Sequence, residues 1–232
     1  MEKTVLLCDD DREIVQAIEI YLQQEKYRVL CAYDGLEALE ILEREEVHLI
    51  LLDLMMPRMD GLHAMQKIRE ERSIPIIIIS AKSEDADKIL GLTIGADDYI
   101  TKPFNPLELV ARVKSQLRRY TEYQNRPERE NSILYQGGLA MDDQRREVRV
   151  DGELIALTPL EYQILALFMQ HPGRVFTGEE IYERVWKEGS MGAINTVAVH
   201  IRHIREKIEI DPSNPRYLKV VWGVGYKLEQ QR

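Results

Sequence analysis

Three carboxylates, one hydroxyl and one ammonium group stand out as side chains that could do chemistry in the first half of the chain. They belong to Asp9, Asp10, Asp53, Ser80 and Lys102. Converging carboxylates suit a hard divalent cation such as Mg²⁺, and a carboxylate can also act as a nucleophile and form an aspartyl phosphate. A lysine ammonium opposite would neutralise phosphoryl charge, and a serine hydroxyl could bind the same phosphate. These residue types predict phosphoryl chemistry if the fold brings them together.

Short apolar runs in residues 1–120 alternate with segments whose apolar residues recur at helical spacing. The predicted strands are Val5–Cys8, Val29–Cys31, Leu49–Leu52, Ile76–Ile79 and Tyr99–Ile100. Five apolar strands alternating with five helices, the last over Pro106–Tyr120, predict an α/β fold with a doubly wound parallel sheet covered on both faces. Each candidate residue lies at or just beyond the carboxyl end of its strand, which is where such sheets bind ligands.

Residues 1–120 resemble the receiver domains of two-component response regulators. The matching segments are Leu6–Asp11, Leu51–Gly61, Ile79–Ala81 and Gly95–Phe104. The resemblance implies a flavodoxin-like receiver in which Asp53 is the phosphoacceptor. The residues implied to bind Mg²⁺ are Asp10, Asp53, the backbone carbonyl of Met55 and, through water, Asp9. The residues implied to bind the phosphoryl group or to switch with it are Lys102, which would precede a cis bond to Pro103, Ser80 and Tyr99.

The resemblance also implies partners for this half of the chain. A sensor histidine kinase would phosphorylate Asp53, and the receiver would then form a symmetric homodimer through its fourth helix, fifth strand and fifth helix. The residues at positions that pair across this face in relatives are Lys88, Asp98, Glu108 and Arg112. The receiver would take part in its own phosphorylation and dephosphorylation, but a stand-alone enzyme is not expected.

Other chemistries fit these residues less well. A haloacid-dehalogenase-type phosphatase needs a second acid two residues after its nucleophile, where this chain has Met55. A dinucleotide-binding domain would need G-x-G-x-x-G after the first strand, where Asp9–Asp11 stand, and the histidines have no zinc-ligand spacing with the cysteines. The alternative from another class is a scaffold whose receiver dimerises constitutively and whose phosphorylation is vestigial.

Residues 121–132 are polar and predict a linker between two domains, 1–120 and 133–232. The strands predicted after it are Leu139–Met141, Glu147–Val150, Leu154–Ala156 and the two arms of a hairpin over Lys219–Leu228. One helix is predicted to begin at the capping box Thr158–Glu161, a second is predicted to begin at Thr177–Glu180, and a third is predicted from about Ile194 to Ile210.

Residues 133–229 resemble the α+β winged helix-turn-helix output domain of the OmpR/PhoB family. The matching segments are Leu157–Glu161, Asn195–Arg205 and Val221–Tyr226. The resemblance implies that the third helix reads the major groove of promoter DNA, with the apolar stripe Val197, Ile201, Ile204 and Ile208 turned inward. The residues expected to contact DNA are Asn195, Thr196, Val199, Arg202, His203, Arg205 and Trp222. Relatives often carry arginine at the positions of His203 and Trp222, so their base contacts cannot be copied directly.

Bulk properties bear on location and partners. The net charge is −9, yet residues 191–232 hold seven basic side chains against four acidic ones, which is compatible with a DNA-binding end. No apolar stretch is long enough for a bilayer and no signal peptide is visible, so a cytoplasmic protein with free thiols at Cys8 and Cys31 is expected. The resemblances together imply a phosphorylation-activated transcription regulator with RNA polymerase as a further partner. Segments Gly91–Phe104 and Val221–Tyr226 are also similar to those of VanR-like regulators of glycopeptide resistance.

Overall fold

A computed structural model describes residues 3–81, 95–124, 133–186 and 193–231 of the chain, but not the side chains of residues 122–124 and 193–195. The chain divides into two compact units, Met1–Thr121 and Glu122–Arg232. Three predicted features lie outside the described residues: the receiver helix around Ile89 and Leu92, the dimer residue Lys88, and residues 125–132 of the linker.

The first unit is built on a five-stranded parallel sheet. Its strands are β1 (Thr4–Cys8), β2 (Arg28–Ala32), β3 (Leu49–Leu52), β4 (Ile76–Ser80) and β5 (Asp98–Thr101). They lie in the order β2-β1-β3-β4-β5, and every neighbouring pair is parallel. All residues of β1, β3 and β4 are buried, because helices cover both faces of such a sheet, and these strands are therefore almost entirely apolar. The predicted α/β fold is confirmed.

Four helices of the first unit lie within the described residues. They are α1 (Arg12–Gln24), α2 (Gly35–Arg44), α3 (Gly61–Glu71) and α4 (Pro106–Gln124). Helices α1 and α4 share one core with the sheet, to which they contribute Ile18 and Val113 among others. Helix α4 continues four residues beyond its predicted end and into the predicted linker, since Thr121–Gln124 contains neither glycine nor proline to stop it.

The second unit combines two antiparallel sheets with three helices. The first sheet consists, in order, of β6 (Ile133–Gln136), β7 (Leu139–Asp142), β8 (Glu147–Val150) and β9 (Glu153–Ile155). The second consists, in order, of β10 (Val175–Phe176), β12 (Gly225–Leu228) and β11 (Leu218–Val221). Strands β11 and β12 form the predicted hairpin, which we call the wing. Strands β6 and β10 were not predicted.

The three helices of this unit are α5 (Pro159–Met169), α6 (Gly178–Trp186) and α7 (Ala193–Ile208). The predicted capping box at Thr158 with Glu161 is confirmed, and Thr177 and Glu180 form a second one at the predicted start of α6. Helix α7 packs against both α5 and α6, and the three helices bury a common apolar core. The α+β fold with a terminal wing is confirmed. None of the helices in the described ranges has the length and apolarity needed to cross a bilayer.

Candidate functional site

Three carboxylates meet at the carboxyl edge of the parallel sheet. Asp9 and Asp10 follow β1, Asp53 follows β3, and one ligand oxygen from each of the three lies within 4.8 Å of the other two. Asp9 and Asp53 are buried, whereas Asp10 is exposed. A half-open cluster of carboxylate oxygens fits a small divalent cation that keeps part of its water shell, so the residues present suit the predicted Mg²⁺.

Lys102 stands against two of these carboxylates. Its Nζ lies 2.6 Å from Asp9 Oδ2 and 3.1 Å from Asp53 Oδ1. It follows β5, its backbone N–H donates to the carbonyl of Ser80 at 2.8 Å, and its bond to Pro103 is cis, as the resemblance implied. Burial alone would lower the pKa of Lys102, but the carboxylates of Asp9 and Asp53 outweigh it and raise the pKa above its ordinary value. The amine is therefore an ammonium ion.

The carboxylate of Asp53 is held by few donors. Its Oδ2 accepts the backbone N–H of Met55 at 2.7 Å, and the backbone N–H of Asp53 itself donates to the carbonyl of Cys8 at 2.8 Å. Burial raises the pKa of Asp53 above its ordinary value, against the opposing effects of Lys102 and of the Met55 N–H. A carboxylate whose charge is incompletely stabilised is more basic, and once ionised it is a better nucleophile.

Gly61 permits a close approach behind the site. A Cβ added there would lie 2.0 Å from the carbonyl oxygen of Asp53, and the N–H of Gly61 donates to the carbonyl of Leu54 at 3.1 Å. The first residue of α3 therefore touches the backbone that carries Asp53, a position that only glycine can fill. The sequence motif included Gly61, but nothing in it pointed to this contact.

The remaining predicted receiver residues occupy two places. Ser80, fully buried, ends β4, and Tyr99, partly buried, lies in the neighbouring strand β5. Arg112 on α4 binds Asp98 at 2.9 Å and Glu108 at 3.0 Å within the same chain. Three of the four residues expected to pair across a dimer thus already form a cluster within the single chain.

Helix α7 agrees in part with the prediction for a DNA-reading helix. The stripe Val197, Ile201, Ile204 and Ile208 is buried, as predicted. On the other side, Arg202 is exposed and pairs with Glu206 at 2.8 Å, and Thr196 is partly exposed. Asn195 belongs to the helix, but its side chain lies outside the described part of the structure.

Two residues of this helix that are predicted to contact DNA have buried side chains. Val199 is 7% exposed and His203 is 6% exposed. Because α7 packs against two helices, its buried arc is wider than one stripe. The ring of His203 lies edge-on to that of His200, with centroids 6.1 Å apart, and its Nδ1 is 3.8 Å from buried Glu161.

Arg205 contacts the wing within the same unit, and Trp222 lies at the tip of the wing, as predicted. Arg205 is partly buried, and its Nε donates to the carbonyl of Leu218 on β11 at 2.8 Å, so it connects the helix to the wing. Trp222, in the turn of the wing, is 92% exposed. The side chains available to a nucleic acid here are therefore fewer than predicted.

Family models match both units. The model described as "Response regulator receiver domain" covers residues 5–114, and the one described as "Transcriptional regulatory protein, C terminal" covers residues 152–228. A protein with a phosphoacceptor-type acidic site on one unit and a winged helix on the other is a response regulator, and this is the class to which fold and site lead.

Relatives match over nearly the whole chain. "Regulatory protein VanR" of Enterococcus faecium is 43% identical over 99% of this chain and 100% of its own length, and "Uncharacterized transcriptional regulatory protein YcbL" of Bacillus subtilis is 44% identical over 96% and 99%. The crystal structure of DrrB, described as a Thermotoga maritima OmpR/PhoB homolog, matches at 35% identity with a TM-score of 0.52 and covers 99% of this chain and all of its own.

The chain belongs to the OmpR/PhoB family of response regulators. It is a phosphorylation-dependent transcription regulator of a two-component system, as the sequence motifs implied, and the predicted similarity to VanR-like proteins is confirmed.

Proposed function

We propose that Asp53 accepts a phosphoryl group from a sensor histidine kinase and that the modified receiver dimerises and drives the winged helix onto promoter DNA. The single observation that carries the proposal is the contact of Lys102 Nζ with both Asp9 and Asp53 at the ends of three parallel strands. In the transfer, an Asp53 oxygen attacks the phosphorus of the kinase phosphohistidine. The P–N bond breaks as the new P–O bond forms, and the imidazole leaves.

The acidic cluster supports a metal site in which direct ligands and a water-mediated ligand can be distinguished. Asp10, Asp53 and the backbone carbonyl of Met55 would hold Mg²⁺ directly, and Asp9 would act through water. When bound, Mg²⁺ neutralises charge on phosphoryl oxygens. The geometry of Asp9 supports an outer role, because its Oδ2 is engaged by Lys102 and its Oδ1 accepts the backbone N–H of Asp11 at 3.0 Å.

Lys102 and the pair Ser80 and Tyr99 would convert the modification into a change of shape. The ammonium of Lys102 would leave the carboxylates for the phosphoryl oxygens, which carry more charge. Ser80 would move toward the same oxygens and Tyr99 would rotate inward. The cluster of Asp98, Glu108 and Arg112, with Lys88, would then pair with its symmetry mate.

On DNA, the proposed contacts are Asn195, Thr196, Arg202 and Trp222. Paired receivers raise the effective concentration of two DNA-binding domains on one promoter. We further propose residues 1–120 and 133–232 as the functional domains with residues 121–132 as their linker, RNA polymerase as the partner of the bound dimer, and the cytoplasm as the site of action. The self-modification of the receiver would be its only enzymatic step.

Acetyl phosphate treatment with detection of the adduct by mass spectrometry tests the receiver. Asp53→Asn should abolish the adduct because the nucleophile is lost. The Lys102→Ala variant should still be modified but should fail to dimerise, since it has no ammonium group to bind the phosphoryl oxygens. A phosphoryl-mass adduct on the Asn variant, or a wild-type dimer that forms equally without modification, would contradict the proposal, and the second result would favour the constitutive scaffold.

Salt titrations of DNA binding test Arg202. If Arg202 reads a base, Arg202→Ala should cost about 1–3 kcal/mol and relax sequence preference at one position. If it touches phosphate only, all sequences should weaken alike and the salt slope should fall by about one unit. The matched control is Arg174→Ala, an exposed arginine outside α7 and the wing. If Arg202→Ala binds every duplex as the wild type does, α7 does not lie in the groove.

A further inference from the structure

The tip of the wing is apolar and lies in solvent. Trp222 is 92% exposed, and its neighbours Val224 and Val220 are 53% and 38% exposed. The other tryptophan of the chain, Trp186, is fully buried. A group of exposed apolar side chains is unfavourable in the free protein and indicates a contact surface.

The wing presents this tip in a fixed conformation. The N–H of Val224 donates to the carbonyl of Val221 at 3.0 Å and closes the turn, where Gly223 has a φ of 74°. Directly beside the turn, a Cβ added to Gly225 would lie 2.0 Å from the carbonyl oxygen of Phe176. The hairpin is therefore packed directly onto β10, and the indole is carried on a rigid support.

The wing is also fixed relative to the DNA-reading helix. Glu209, which follows α7, accepts the backbone N–H groups of Arg216, Tyr217 and Leu218 at 2.7 to 2.9 Å. Arg205 adds its bond to Leu218. Because these hydrogen bonds join the wing to the end of α7, the position of α7 on DNA determines where Trp222 lies.

The charge of the wing does not suit a narrow minor groove. Residues 220–226 contain no charged side chain. At the base of the hairpin, Lys219 and Lys227 share the carboxylate of Glu229 at 3.7 and 3.0 Å. Narrow A-tract grooves attract arginine and lysine through their negative potential, and this tip offers an aromatic ring instead.

We propose that Trp222 is a wedge that inserts at a pyrimidine–purine step beside the site read by α7. Such steps unstack and kink more easily than others, and apolar side chains are used to open them. The protein would then select a deformable flanking step in place of an A-tract. This inference rests on the proposed DNA-binding function and adds the residue and the DNA property that determine part of its specificity.

Acrylamide quenching of tryptophan emission tests the insertion. The probes are duplexes selected by the phosphorylated full-length protein from a random-sequence library, each also made with its flanking pyrimidine–purine step replaced by an A-tract. Since Trp186 is buried, quenching in the free protein reports Trp222, and this quenching should fall severalfold when the complex forms.

Trp222→Ala should weaken binding by roughly tenfold, as for loss of one stacked base, and Trp222→Arg should reverse the preference toward the A-tract duplex. Leu154→Ala, which removes an exposed apolar side chain on β9, should bind as the wild type does.

Two results would overturn the inference, and they differ from each other. If Trp222 stays fully quenchable in a complex that Arg202→Ala weakens, the wing lies outside the DNA while the proposed function stands. If the phosphorylated protein selects no duplex at all, the proposed function fails and the wedge fails with it.

Discussion

Arg58 has a left-handed backbone, with a φ of 58°, and its guanidinium reaches from the loop after β3 to the carboxylates of Asp34 and Glu37. Asp34 is buried and also accepts the N–H groups of Leu36 and Glu37 at the start of α2. Burial alone would raise the pKa of Asp34, but these N–H donors and Arg58 lower it below its ordinary value. An ionised Asp34 thus connects α2 to the loop that carries Met55.

We expect this contact to appear in acid unfolding. A carboxyl group with a depressed pKa in the folded state contributes stability above its unfolded pKa of about 3.9, and that stability is lost as the pH falls through the folded pKa. Arg58→Asn removes the guanidinium and keeps a residue that tolerates the left-handed backbone. Its acid-unfolding midpoint, followed by circular dichroism, should lie at higher pH than that of the wild type. Arg44→Gln, at an exposed arginine, should leave it in place, and equal midpoints in all three proteins would exclude the contribution of Arg58.

At the scale of the element, α7 and β11 are joined by one buried carboxylate. Glu209 is 9% exposed, and its oxygens accept three backbone N–H groups at the start of β11. Removal of the carboxylate would take away the partner that these three backbone donors have in the structure.

Glu209→Ala should therefore destabilise the second unit by about 3 kcal/mol, the loss expected for buried hydrogen bonds to a charged group. Calorimetry of the full chain should show the unfolding transition of the second unit at a lower temperature than in the wild type. The transition of the first unit should be unchanged. Glu183→Ala, at an exposed carboxylate on α6, should change stability by no more than about 0.5 kcal/mol. If both variants unfold alike, Glu209 does not hold the helix to the wing.

Periodicity predicted the elements well where burial is one-sided or complete, as in β1, β3 and the stripe of α7. It missed β10, since two residues are too short to show a period. It also placed His203 and Val199 outside, because a stripe of four residues cannot reveal that a second helix covers the flank. Asp9, Asp53 and Lys102 could be placed because parallel strands end at one edge, whereas the partners of Arg58 and Glu209 depend on contacts between distant segments.

At the scale of the whole molecule, charge is divided unevenly. Residues 1–120 hold 16 basic and 23 acidic side chains, and residues 121–232 hold 15 and 17. Two receivers that each have a net charge of −7 do not attract one another through their overall charge, so the proposed dimer would have to be oriented by local charge pairs. The described candidates for that pairing are Asp98, Glu108 and Arg112, and in the single chain Arg112 contacts both carboxylates.

Reversal of one exposed charge on this face should separate dimerisation from folding. Glu108→Lys, at a side chain that is 50% exposed, would face Lys88 of the second copy with a like charge at two symmetric positions of the proposed dimer. It should raise the dissociation constant of the phosphorylated dimer at least roughly tenfold. Light scattering after beryllofluoride treatment measures it. Lys114→Glu reverses a similarly exposed charge on another side of α4, where it contacts Glu25, and should dimerise normally. Dimerisation that survives Glu108→Lys would place the interface elsewhere.

The positions of the two tryptophans have a consequence for how the molecule can be observed. Trp186 and Trp222 both belong to the second unit, while Asp53 and its partners belong to the first, which contains none. Fluorescence emission from the two indoles is therefore insensitive to changes that are confined to the receiver. A change in that emission after Asp53 is modified therefore reports a conformational change that has been transmitted from the receiver to the second unit. The delay between the modification and the change in emission gives the rate of this transmission, and no label on the chain is needed.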